Sequence, residues 1–269
     1  MRLVSWDGGF GRLSDDGASV VPMGASLVEW LTTGDADDGA PIARDDVRLT
    51  APVARPQKVV CIGVNYREHA AEMGRVDLPS VPTVFAKWAN AVIGPEDDVL
   101  VPPGVDLVDY EAELAVVIGR RASRVARGDA LDHVAGYCCA NDVSSRQRQY
   151  ETTQWTMGKA VDTFLPLGPH LVTADEIPDP QQLAITCTVN GEVRQSSTTA
   201  QMIFPVAELI EFVSSMVTLE PGDVISTGTP PGVGAGMKPP RFLSDGDEVV
   251  VDIEGVGALR STIRTEPPS

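Results

Sequence analysis

Short, continuous apolar runs cut by Pro and Gly dominate this chain, and few stretches keep the three-to-four spacing of an amphipathic helix. Residues 58–64 read as a buried strand, and residues 111–118 and 134–140 read the same way. Residues 183–189, the pair Asn190-Gly191 and residues 192–195 form a hairpin signal, because Asn-Gly accepts the positive φ angles of a two-residue turn. Residues 219–229 and 245–263 supply the last strands. Helical spacing is clear over 204–217, where Ala207, Leu209, Ile210, Val213, Met216 and Val217 recur as a stripe. The composition of residues 65–74, ended by Gly74, also favours a helix. Strand and helix do not alternate regularly, which predicts an α+β, mainly β fold and excludes a doubly wound sheet.

Ahead of these elements, residues 1–54 read as a small N-terminal domain. It holds a strand over Arg2–Trp6, a Gly-rich turn, a second strand near Val20, an apolar patch over 26–31 and a polar run over 32–39. Pro52 and Pro56 break the pattern and set the boundary with a second domain over 55–269.

Charge then narrows the partners. With 38 acidic against 21 basic residues the net charge is −17, which repels nucleic acid and anionic membranes. Hydrophobic residues make up 43% of the chain, enough for a globular core. No stretch approaches the roughly 20 apolar residues of a membrane helix, and the N-terminus lacks a signal peptide's apolar segment, so a cytoplasmic protein is expected. Cys61, Cys138, Cys139 and Cys187 show no C-x-x-C spacing, and three of them lie in apolar runs, which predicts buried, reduced thiols.

The chemistry concentrates in a few segments. In Asp109-Tyr110-Glu111-Ala112-Glu113-Leu114, strand alternation puts Asp109, Glu111 and Glu113 on one face. Such a face is either open to water or neutralised by a cation. Asp142 follows directly on an apolar strand and is either a turn residue or a third carboxylate of an oxygen-only ligand set. Carboxylates without His or Cys suit hard Mg²⁺, with Mn²⁺ or Ca²⁺ as substitutes. On a helix over 65–74, His69 and Glu72 share a face, giving either a surface pair or a general-base dyad. His133 and His170 have no such carboxylate and read as structural. Lysine is scarce, which makes Lys159 a candidate for holding a carboxylate or enolate. The Gly-rich segment 227–236 lacks G-K-[ST] and reads as a tight loop lining a site.

In chain order, I-G-V-N-Y-x-x-H-A-x-E (62–72), D-Y-E-x-E-L (109–114), N-D-V-S-x-R (141–146), G-K-x-x-D-T-F-x-P-x-G-P (158–169) and G-T-P-P-G-V-G (228–234) resemble the fumarylacetoacetate hydrolase family. The resemblance implies a mixed β-sandwich roll, a homodimer, and a divalent cation, usually Mg²⁺, held by Glu111, Glu113 and Asp142. It further implies that His69 and Glu72 lie on a lid segment, and that Tyr66, Arg146, Gln149, Lys159 and Thr229 meet the substrate. One departure is Gln147, where many relatives carry Asp after the arginine, at a place where the substrate tail would be read.

Such a site would cleave the C–C bond of an acylpyruvate or related 2,4-diketo acid through an enolate stabilised by the cation. His69, assisted by Glu72, would activate the attacking water, and Lys159 would hold developing negative charge. A decarboxylase or isomerase of 2-oxo dioates is the alternative on the same site. A binding protein that keeps the fold without catalysis is disfavoured by the full set of six polar residues.

Overall fold

The strand Ala112–Ile118 is buried along its whole length, which requires protein on both of its faces. Ala112, Leu114, Val116 and Ile118 enter one apolar core, and Ala115 and Val117 enter another. The computed structural model describes residues 1–74 and 77–267. Among them, Ala112–Ile118 belongs to a twelve-stranded mixed sheet, and a five-stranded sheet shares its first core. The smaller sheet includes Ala184–Val189, Glu248–Ile253 and Gly257–Thr265, which bring Ile185, Cys187, Val251 and Leu259 to that core. The result is the α+β, mainly β sandwich expected from the pattern.

Within the larger sheet, Ala112–Ile118 lies antiparallel between Val134–Asn141 and Val224–Ser226. Val224–Ser226 runs parallel to Val59–Gly63, and Thr83–Lys87 closes that edge. At the other side, Leu165–Thr173 pairs with Val134–Asn141 and then with Arg2–Trp6, through Leu3 and Leu171. Residues 1–54 thus extend the same sheet, around a small core of Val4, Val20, Val47 and Leu49.

Three segments differ from their sequence reading. The Gly-rich turn contains the strand Gly9–Leu13, where glycine allows close approach: a Cβ at Gly11 would collide with the Val21 carbonyl. The patch over 26–31 is a helix, Leu27–Thr33, started by the Ser26 hydroxyl and ended by Gly34 in the left-handed region. The helix expected over 204–217 spans only Val206–Ser214, and Met216 stands 90% exposed beyond it. The chain leaves the helix early because Leu219 must bond back to Ala122. All four cysteines are free and buried, as expected.

The crossover after Val59–Gly63 is pinned by one side chain. Asn65 donates from Nδ2 to the carbonyls of Phe204 (3.1 Å) and Thr227 (2.7 Å), and its Oδ1 accepts from the Phe204 N–H at 2.9 Å. This fully buried clamp fixes the start of the helix Arg67–Glu72 against the loop after Val224–Ser226. Asn65→Ala strands three backbone groups without partners, and chemical denaturation should report a loss of about 3 kcal/mol.

Candidate active site

Strand pairing carries the acidic residues to one place. The Asp142 N–H donates to the Glu111 carbonyl at 2.9 Å, so the ends of two neighbouring strands bring these carboxylates side by side. Glu113 follows Glu111 on the same side by strand alternation. Glu111, Glu113 and Asp142 are all buried, with ligand atoms within 4.8 Å of one another.

Asp109, placed on the same face by the sequence pattern, is not part of this triad. The strand breaks at Tyr110 and Glu111, and Asp109 turns away to the Gly-rich loop. There it accepts from the N–H groups of Gly234 (2.7 Å) and Ala235 (3.0 Å) and from Arg146 Nε (2.9 Å).

Three buried cations face the carboxylates. Lys159 donates to Glu111 Oε2 and to Asp142 Oδ2, both at 2.7 Å. Lys87 lies 2.8 Å from Asp142 Oδ1 and donates to the Val143 and Phe164 carbonyls at 2.8 and 2.6 Å. Arg146 pairs with Glu111 Oε1 at 2.7 Å through NH1, which also donates to Gln149 Oε1 at 3.0 Å.

These neighbours divide the triad electrostatically. Burial alone would raise Glu111, but Lys159 and then Arg146 overcome it and bring its pKa down to about 2. Glu113 has no such partner: burial, then Asp142 and Glu111, push it well above the carboxylate range. It accepts hydrogen bonds from the Ser226 hydroxyl and, at 3.0 Å, from the Gly228 N–H, both to Oε2. A divalent cation suits this set, because three buried carboxylates converge and Glu113, the high-pKa member, has no direct cationic partner among the described residues.

Glu111 and Glu113 open onto a cavity of about 240 Å³, bordered also by His69, Arg146, Gln149, Lys159 and Thr229, with Asp142 behind them. His69 Nδ1 and Glu72 Oε2 are 2.9 Å apart, and Glu72 Oε1 accepts the Gly232 N–H at 2.9 Å. His69 borders the cavity, and Glu72, which shares its helix face, ties it to the Gly-rich loop.

Thr229 is tied into the wall, donating to the Ala112 carbonyl (2.9 Å) and accepting from Gln195 (2.8 Å). Tyr66 is fully buried, does not border the cavity, and its hydroxyl has no partner among the described residues. Gln147 is exposed, outside the cavity, and accepts from the Asp106 N–H at 3.2 Å, so the departure from the family pattern does not alter the cavity wall.

Sequence reasoning missed Lys87, Asp109 as an anchor, and the aromatic wall of Phe85 and Trp155, whose rings meet edge-on at 5.4 Å. A lysine inside the apolar run Thr83–Lys87, in a chain with four lysines, was the available signal for the first.

The raised Glu113 gives a signed prediction. A carboxyl group whose pKa rises on folding contributes stability below its unfolded value of 4.5, and that contribution is lost as the pH climbs. Glu111 acts oppositely: its contribution is present above 4.5 and is lost as the pH falls towards about 2. Glu113→Gln should therefore raise the melting temperature of the cation-free chain at neutral pH by about 3 °C, with the gain gone near about pH 4. Differential scanning calorimetry at both pH values checks it.

Comparison with known proteins agrees with the geometry. The family model for the fumarylacetoacetate (FAA) hydrolase C-terminal region matches residues 58–264. A relative named mitochondrial oxaloacetate tautomerase FAHD2A, from Bos taurus, is 47% identical over 284 residues, covering 96% of this chain and 90% of that protein. The solved structure of 5-carboxymethyl-2-hydroxymuconate delta-isomerase from Mycobacterium smegmatis superposes with a TM-score of 0.83 at 38% identity, covering 99% of this chain and 98% of that one. Maleylpyruvate hydrolase from Sphingobium sp. SYK-6 superposes with a TM-score of 0.82 at 31% identity, covering 99% and 100%.

Proposed function

The chain belongs to the fumarylacetoacetate hydrolase family of enzymes, and we propose that it is a divalent-cation-dependent enzyme of 2-oxo acids that interconverts the keto and enol forms of oxaloacetate. The observation that carries this reading is that one cavity is bordered by Glu111 and Glu113 of the oxygen-only triad and by His69 of the His–Glu pair. The name of the bovine relative selects oxaloacetate among 2-oxo acids.

Glu111, Glu113 and Asp142 would hold Mg²⁺, with Mn²⁺ or Ca²⁺ as substitutes. Such an ion, when bound, polarises the 2-oxo group of the substrate and makes the neighbouring C3–H more acidic. Lys159 and Arg146 present positive charge to the substrate carboxylates, with Gln149 and Thr229 at the border of the cavity. Glu72 holds the Nδ1–H of His69, which leaves Nε2 unprotonated and able to accept the C3 proton. In the forward direction Nε2 passes the C3 proton on to the enolate oxygen by way of solvent, so no net proton is gained, and in reverse the enol proton returns by the same route through Nε2 to C3. Tyr66 lies outside the cavity lining, and its hydroxyl is held protonated by burial and by the nearby charge of Glu113.

A second reading is favoured by the same His–Glu pair and by the structural likeness to maleylpyruvate hydrolase: hydrolysis of acylpyruvates or related 2,4-diketo acids. There His69 Nε2 takes a proton from water, the water oxygen attacks C4, and the C3–C4 bond breaks to give pyruvate and a carboxylic acid. Decarboxylation or isomerisation of 2-oxo dioates uses the same cation and needs no attacking water.

The assay pairs EDTA-stripped protein, with and without Mg²⁺, with freshly dissolved oxaloacetate and with a short acylpyruvate. Tautomerisation is read as keto oxaloacetate captured by excess malate dehydrogenase, and hydrolysis as pyruvate captured by lactate dehydrogenase. Mg²⁺-dependent acceleration of keto capture is expected, and His69→Gln should reduce it about 100-fold. Pyruvate released from the acylpyruvate alone would replace the first reading by the second.

The same reading includes a homodimer. Val81, Val84 and Trp88 on and beside the edge strand Thr83–Lys87, together with Met157, expose apolar surface that a second copy would cover. Trp88→Glu should shift the chain to monomer in sedimentation velocity.

A further inference from the structure

The buried carboxylates each have one oxygen committed to a fixed partner. Glu111 Oε1 pairs with Arg146, which is itself anchored to Asp109. Asp142 Oδ1 pairs with Lys87, which is held by two backbone carbonyls. Glu113 Oε2 is taken by Ser226 and Gly228. A cation entering from the cavity is left with Glu111 Oε2, Asp142 Oδ2 and Glu113 Oε1. Lys159 holds the first two of these, each at 2.7 Å.

Lys159 has no comparable anchor of its own. Apart from those two oxygens its ammonium meets, among the described residues, only the face of Phe85, with Nζ 5.0 Å from the ring centroid, and its residue borders the cavity. Lys87, by contrast, does not border the cavity, and its side chain is fully enclosed.

Charge counting points the same way. With Glu113 deprotonated, as a bound cation would require, Asp109, Glu111, Glu113 and Asp142 bring four negative charges, against three positive charges from Lys87, Arg146 and Lys159. Adding a divalent cation while Lys159 stays would leave a surplus of one positive charge inside the protein. Adding it while Lys159 turns out to the cavity leaves the cation, Lys87 and Arg146 neutralising the four carboxylates.

We propose that Lys159 is an exchangeable internal cation. It occupies two of the three oxygens of the triad until a divalent cation takes them, and its ammonium then turns into the cavity to meet the substrate carboxylate. Lys87 and Arg146 are fixed positioning cations that present one oxygen each from Asp142 and Glu111. Cation loading and anion recognition are thereby one event, so the empty site offers the substrate no free ammonium. This inference rests on the cation-dependent reading above.

Two measurements on the full chain test it. In isothermal titration of EDTA-stripped protein with MgCl₂, Lys159→Met should bind Mg²⁺ at least about tenfold more tightly than the unaltered chain. Reductive methylation of the unaltered chain, read by peptide mass spectrometry, needs no variant. Labelling of Lys159 should rise several-fold when Mg²⁺ is added, with Lys87 unlabelled throughout and the exposed Lys238 as internal reference. Equal or weaker Mg²⁺ binding by Lys159→Met overturns the exchange and leaves the metal reading standing. Tighter binding with unchanged Lys159 labelling also overturns it, because the lysine then only repels the cation from a fixed position. No Mg²⁺ binding by the unaltered chain overturns both the exchange and the cation-dependent reading.

Discussion

Three carboxylates packed at the buried ends of two neighbouring strands, joined to a fourth, Asp109, through Arg146, are the constraint around which the catalytic part of this protein is built. Asp109, Glu111, Glu113 and Asp142 are each at most 6% exposed, and like charges so placed cannot remain ionised without compensation. That compensation comes from distant parts of the chain. Lys87 arrives from the edge strand, Arg146 and Lys159 from short helices after Val134–Asn141, and backbone N–H groups from the loop after Val224–Ser226. The acidic cluster therefore organises the elements around it, since each must close on it for the others to be tolerable in a low-dielectric interior.

The Gly-rich loop is part of that closure. Gly228 adopts φ +98° against Asn65, and Gly232 adopts φ +102° where a Cβ would strike the Arg194 carbonyl. These glycines let the backbone come close enough to donate to Glu113, Asp109 and Glu72. Glu72 spends one oxygen on the loop and the other on His69, so the orientation of the imidazole depends on a loop more than 150 positions further along the chain. The His–Glu helix and the loop behave as one unit at the cavity mouth.

Much of this was legible in the sequence, for identifiable reasons. The shared face of Glu111 and Glu113 and the pairing of His69 with Glu72 follow from local periodicity, because strand alternation and helical i, i+3 spacing are properties of neighbouring residues, whereas Asp142 joined them only through the family resemblance. Lys87 and the role of Asp109 are tertiary facts. Alternation predicts that Asp109 joins Glu111 and Glu113, and only the break at Tyr110, made to serve Gly234, Ala235 and Arg146, turns it away. The early end of the helix Val206–Ser214 is of the same kind, set by the pairing of Leu219 with Ala122. Gly9–Leu13 was hidden because its glycines read as a turn while serving close strand approach.

The parts common to the proposed reactions are the acidic triad and the His–Glu pair, and neither distinguishes one 2-oxo acid from another. Selection must come from what lies beyond the reacting carbons. There the wall is apolar: Trp155 packs edge-on against Phe85, and it can do so because Gly63 leaves the space that a Cβ would take from its ring. Arg146 is the counterweight, a buried guanidinium at the cavity whose NH2 group has no partner among the described residues. On the proposed reading, a carboxylate of the substrate would satisfy that donor while the rest lies against the aromatic face. Proteins of this fold whose names include a tautomerase, an isomerase and a hydrolase are thus expected to differ at the wall and not at the triad.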